Sequence, residues 1–164
     1  MTANYRGFNF DSVYDALKDV AVSIDTDTGD EEFAQVEAGK PDNISMWPGD
    51  TVLIALGKIN EITSGMGGKG EVAHFYGYYI ISVEGENEQS QRRAAYLWDR
   101  LYAAIKADRS IGFPKGKCKC TPMNKNPGGF RQNDKNMGSS KTPDPCAGAV
   151  LVLNIEKARE LITL

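Results

Sequence analysis

Along the chain the apolar positions change period several times, and each change marks an element. In residues 9–21, NFDSVYDALKDVA, Phe10, Val13, Leu17 and Val20 recur at helical spacing and form one stripe, with Asn9 or Asp11 placed to cap the free backbone donors. Such a stripe needs a core to face, so Val13 and Leu17 are expected inside. Residues 33–39, FAQVEAG, alternate as a short strand. Residues 51–57, TVLIALG, are a near-continuous apolar run entered through the turn-forming WPGD of residues 47–50, and predict a central strand with Val52 and Ile54 in the core.

The Gly-rich stretch KINEITSGMGGKGE, residues 58–71, exceeds a tight hairpin turn and predicts a mobile loop or an extended arm. Residues 72–83, VAHFYGYYIISV, are rich in aromatic and β-branched side chains and predict a third long strand, antiparallel to residues 51–59. EGENE then turns the chain. Asn87 is placed to cap a helix in which Ala94, Leu97, Trp98, Leu101 and Ile105 recur at i, i+3, i+4, i+7 and i+11, which sets Leu97, Trp98 and Leu101 against the sheet. Its other face carries Arg92, Arg93, Asp99 and Arg100, either solvated or facing a neighbouring subunit.

Past Ser110 the periodicity fades. Residues 111–148 are crowded with Gly, Pro, Asn, Ser and Lys and read as a long loop or partly ordered extension. Residues 149–155 predict a strand, and the last stretch a short helix or another strand. The expectation is one α+β domain over residues 1–164, a mainly antiparallel sheet with two helices packed on one face, with a long Gly/Pro/Lys-rich loop or insertion at about 111–148.

Composition narrows the function. A chain of 164 residues can bury a core without disulfide staples. A net charge of −3 argues against attraction of the whole protein to nucleic acid. The charge is uneven, however: residues 106–141 hold nine Lys or Arg against Asp108 and Asp134 alone. That asymmetry is read as a solvated basic loop, or as a patch for an acidic partner. No apolar stretch reaches the roughly 18 to 20 residues of a membrane span, and the polar start MTANYRGFNFDSVYD lacks the features of a signal peptide. Synthesis in the cytoplasm and no membrane partner are expected.

The chemistry-bearing residues are few. Cys118, Cys120 and Cys146 are odd in number and without repeating spacing, which speaks against a disulfide framework. A structural zinc site takes four ligands, so these three are read as free thiols in a loop, and serine at Cys118 and Cys120 is expected to leave melting nearly unchanged. His74, the single histidine, has no cysteine near it in sequence and is read as a sheet residue. Asp25, Asp27, Asp30, Glu31 and Glu32 lack the twelve-residue loop and final Glu of a calcium-binding EF-hand and read as a solvated turn. GMGGKG lacks the spacing of a phosphate-binding loop. No catalytic residue, metal or cofactor is expected.

The helix at the N-terminus, then AQVEAGKPDNISMWPGDTVLIALG, the aromatic strand HFYGYYIISVEG and the helix NEQSQRRAAYLWDRLYAAIKA together resemble the tail terminator proteins of long-tailed bacteriophages. The resemblance spans about residues 8–109 and lies in the order, length and character of the elements, not in a catalytic motif. It implies a ring-forming α+β subunit, usually six to a ring, that caps the tail tube, ends its polymerisation and joins it to the neck or head. The implied partners are further copies of the chain, the tail tube protein and a neck or head-completion protein, with DNA only passing through the ring. The implied place is the head-proximal end of the tail in the virion, after synthesis in the host bacterium. Arg92, Arg93 and Arg100 and, in the Gly-rich connection, Gly65, Met66 and Lys69 are the expected subunit contacts. Residues 111–148 are longer and more basic than that pattern. The nearest alternative is another phage neck or head-completion connector; the alternative of a different class is a nucleic-acid-binding or zinc-binding domain built on the basic, cysteine-bearing segment.

Overall fold

The computed structural model describes residues 4–24, 29, 32–38, 49–64, 70–85, 87–127, 130–132 and 146–163. In chain order the elements are β1 (Asn4–Gly7), α1 (Phe10–Val22), β2 (Gln35–Ala38), β3 (Thr51–Ser64), β4 (Glu71–Glu84), α2 (Glu88–Ala107), β5 (Cys118–Pro122), β6 (Phe130–Gln132), β7 (Cys146–Ala158) and β8 (Glu160–Thr163). The fold is α+β, with two helices and a mostly antiparallel sheet. That sheet runs β2-β3-β4-β7-β5, with β6 also paired to β7; only the β2–β3 pairing is parallel. β1 and β8 form a separate antiparallel pair.

β4 and β7 lie at the centre, in unbroken register from Val72↔Ala158 to Glu84↔Cys146. Side chains alternate across a strand, so this register puts Phe75, Tyr79 and Ile81 beside Ile155, Leu151 and Ala149 on one face, all fully buried or nearly so. The helices cover that face. Val13 and Leu17 of α1 and Leu97, Leu101 and Trp98 of α2 join Val52 and Ile54 of β3 in the same cluster, each at most 4% exposed. Phe10 meets the Phe75 ring edge-on at 5.2 Å, and the Tyr79 hydroxyl donates to the Leu17 carbonyl at 2.6 Å, so β4 holds α1 by both packing and a buried hydrogen bond. On α2, the Trp98 indole N–H donates to the Val150 carbonyl at 3.1 Å.

The corner into α2 is chemically specified. Gly85 has φ of 89°, a conformation that side chains disfavour, and a Cβ there would lie 2.6 Å from Ser90 Oγ. Asn87 caps the helix by accepting from the Ser90 N–H at 2.9 Å, and the Ser90 hydroxyl returns a bond to the Glu84 carbonyl. At α1 the expected cap differs: Asn9 lies in the left-handed region and its side chain makes no cap bond, donating instead to Glu160.

Three expectations need correction. Of the loop and the extended arm expected after residue 57, Lys58 through Ser64 are not loop: they continue β3, because Ile62 and Thr63 pair with Ala73 and Val72 after two register shifts near Ile59. The first described element is strand β1 and not helix α1, and β1 finds its partner only in the distant β8. Part of segment 111–148 is sheet: Cys118, Cys120 and Cys146 are buried within β5 and β7, not free in a loop. Cys-Lys-Cys is itself a period-two pattern, turning both thiols inward and Lys119 outward. Beyond β5 the Asn124 amide stands in for strand backbone, donating to the Val150 carbonyl and accepting from the Val152 N–H at 2.7 and 2.9 Å. Residues 128–129 and 133–145 lie outside the described residues, as do Asp25, Asp27, Asp30 and Glu31 of the acidic run.

Burial pushes the Cys118 thiol up to about 12, with a partial offset from the Lys157 charge, and pushes Cys120 higher still. Both thiols are therefore expected to react with a thiol reagent at about pH 8 at least ~100-fold more slowly in the folded protein than in denaturant. Cys120→Ser places a hydroxyl in the core and is expected to cost about 1–3 kcal/mol in urea denaturation. Fast labelling of both thiols in the folded chain would contradict this placement.

Candidate functional site

The three arginines expected at a subunit boundary have three different environments. Arg92 is solvated, paired with Glu88 one turn earlier at 2.9 Å with both side chains about four-fifths exposed (80% and 78%). Arg100 donates to the Tyr96 hydroxyl at 3.1 Å, also on the outer face of α2. Arg93 works within the chain: its guanidinium reaches Glu32 at 2.5 Å and Asp50 at 2.8 Å. Glu32 is 4% exposed and also accepts from the Tyr96 hydroxyl at 3.2 Å, while Arg93 lies over the Tyr96 ring. Burial would lower the Arg93 pKa, but the hydrogen bonds and charges of Asp50 and Glu32 outweigh it and raise it. Arg93 thus ties α2 to the chain segments on either side of β2. The sequence hides this, because Glu32 reads there as part of a solvated acidic turn and Asp50 as part of WPGD.

The open edge of β3 is the second surface. β2 pairs only with Thr51–Ile54, and beyond that point no described strand lies on the outer side of β3. The Leu56 N–H finds the Tyr14 hydroxyl at 3.4 Å; residues 58–62 are exposed, with Ile59 at 39% and Ile62 at 44%. The register shifts and Lys58 hinder indiscriminate strand addition along this edge. Gly65, Met66 and Lys69, between β3 and β4 in the sequence, lie outside the described residues. On β4, His74 Nε2 is 2.8 Å from the Thr63 hydroxyl and Nδ1 is 3.6 Å from Glu156, a cross-strand arrangement within the sheet.

A buried charge lies where the sheet meets the β1–β8 pair. The Lys157 side chain is fully enclosed; its ammonium donates to the Ala158 carbonyl and to Glu160, each at 3.0 Å, above the Phe113 ring. Burial would raise the Glu160 pKa, but the bonds from Asn9 and Lys157 and the Lys157 charge hold it below its ordinary value. Nothing in the sequence separates this lysine from a solvated one; only the register that turns position 157 inward does. Among the described residues no group of three or more His, Cys, Asp or Glu is placed to hold a metal ion, and no helix is long and apolar enough to cross a membrane. Comparison with known proteins gave no matching family model and no matching curated protein.

Two substitutions weigh these contacts. Arg93→Ala leaves the buried Glu32 carboxylate without its cation and is expected to cost about 2 kcal/mol in urea denaturation, against under ~0.5 kcal/mol for Arg92→Ala. Equal effects would mean that Arg93 is as solvated as Arg92. For Glu160 the folded pKa is depressed, so its contribution is complete above the ordinary value of 4.5 and lost as pH falls through the lower folded value. Glu160→Gln is expected to lower stability by about 2 kcal/mol at neutral pH, with the gap to wild type closing below about pH 4. A gap unchanged down to about pH 3 would contradict this sign.

Proposed function

We propose that the chain is a structural subunit that caps the tail tube of a long-tailed phage, ends its polymerisation and offers the surface to which the neck or head joins. The observation that carries the reading is the open β3 edge, a strand with two isoleucines more than a third exposed and, beyond Ile54, no described strand on its outer side. Exposed apolar side chains beside unpaired backbone are what a lateral contact between copies uses. The order α1, β3, aromatic β4, acidic corner and α2 also supports it, being the order on which the likeness to tail terminators rests.

The physical account requires no reaction. A growing tube exposes at its tip the surface that received the previous ring. A ring of six subunits that binds this surface and presents a different upper face stops growth by geometry alone. Identical subunits joined by one repeated heterologous contact close such a ring when the rotation between neighbours divides the full turn.

In a phage lacking this protein, the expected result in electron micrographs of lysates is heads without attached tails, and tubes longer than wild type. Tails of normal length joined to heads would rule the reading out; normal-length, unattached tails would instead assign the protein to the neck. The variant carrying Ile59→Asp and Ile62→Asp is expected to melt within a few degrees of wild type yet form no rings on tube tips by negative stain, since both residues face solvent. A wild-type protein that stays monomeric even on tubes would sink the assembly part.

A further inference from the structure

The sequence concentrates nine basic residues against two aspartates in residues 106–141, which leaves ten basic against twenty acidic residues in the rest of the chain. The fold gives part of that imbalance a shape. Where the segment after α2 returns to β5, Arg109, Lys115 and Lys119 line a cavity of about 510 Å³ with Ser110 and Glu156. All three cations are exposed, and no described ion pair engages them. Glu156, the one carboxylate among the described lining residues, lies 3.6 Å from His74. Three cations around one concavity, with Glu156 across the sheet from Lys119 as the one carboxylate among the described lining residues, leave an excess of positive charge that favours a partner bringing carboxylates or phosphates.

The same chain displays a complementary surface. Asp11, Asp15 and Asp19 recur every fourth residue along the exposed side of α1, about 6 Å apart, and no described ion pair engages them either. Lys18 is the only cation on that helix. Asp15 and Asp19 border a groove of about 230 Å³ whose other wall is Ile111, Gly112 and Phe113. Stripe and basin thus flank different parts of the segment joining α2 to β5, and within one copy no described ion pair joins them.

We propose that the basin lined by Arg109, Lys115 and Lys119 receives the aspartate stripe of α1 from a second copy of the chain. The two patches differ, so the contact is heterologous: each added copy leaves one basin and one stripe free until the series closes on itself. Carboxylates of a second copy suit the basin better than a nucleic acid, because the acidic remainder of the chain repels a polyanion that extends past the basin. The inference rests on the self-assembly in the proposed function and is independent of the tail itself.

Sedimentation velocity of the full chain over a concentration series tests it. Wild type is expected to self-associate, at least tenfold more weakly at about 0.5 M than at about 0.05 M salt. Lys115→Glu with Lys119→Glu, and separately Asp15→Lys with Asp19→Lys, are each expected to weaken association at least tenfold at low salt, with melting by circular dichroism within a few degrees of wild type. All four substitutions in one chain restore opposite charge across the contact and should recover most of the loss. Failure of the fourfold variant to recover overturns the inference, as does a wild type that is monomeric at every concentration. Association indifferent to every reversal overturns the basin contact but leaves the capping role, which the phage phenotype judges separately. Salt-sensitive binding of a DNA duplex that is lost in the basin variant, without self-association, would assign the basin to phosphates and overturn it too.

Discussion

The pairing of β4 with β7 is the constraint on which the rest of the molecule depends. It joins residues far apart in sequence in one uninterrupted antiparallel register, and that register decides which side chain of each strand meets the helices. A slip of β7 by one residue would turn Leu151, Leu153 and Ile155 away from the helices and bring Val152 and Asn154 toward them. The two helices contribute the other half of this core, with α1 fixed to β4 through Phe10 and Tyr79 and α2 fixed to β7 through Trp98. Since each layer buries only one face, neither is stable without the other.

Two ionic contacts lock peripheral elements onto that frame, and they differ in energetic character. Arg93 keeps about a third of its side chain exposed (35%) and bridges two carboxylates, whose charge-assisted bonds outweigh the cost of its burial. Lys157 is wholly enclosed, and its burial is tolerable only because a carbonyl, a carboxylate and an aromatic face surround it. Removing one member of such a set leaves an uncompensated charge, whereas an exposed pair such as Arg92 with Glu88 loses little.

Two surfaces remain outside this frame. One rim of the sheet ends in the outer edge of β3, while the segment leading into β5 gathers cations round a concavity. Edge, basin and aspartate stripe have separate places on the chain, and under the proposed assembly unlike contact surfaces would join copies in sequence instead of back to back. Charge complementarity supplies orientation and encounter rate more than affinity. The exposed isoleucines of β3 supply apolar area that charge does not.

The sequence by itself determined the elements that repeat a period over many residues. α1 and α2 follow from their apolar stripes, the Asn87 cap from the polar residue before the second stripe, and β4 from an aromatic, β-branched run too regular to be a loop. Val13, Leu17, Val52, Ile54, Leu97, Trp98 and Leu101 stand on those periods and are buried. Tertiary structure decided whatever depends on a partner distant in the chain. β1 is four residues long and exists because β8 pairs with it; the outer half of β3 is strand because β4 holds it; β5 is strand because β7 presents an edge to it. The candidate contacts divide the same way: Arg92 and Arg93 are adjacent and chemically identical, yet Glu32 and Asp50 engage one and leave the other to solvent. A local pattern reports which face a side chain takes, but what that face meets is settled only when segments tens of residues apart are brought together.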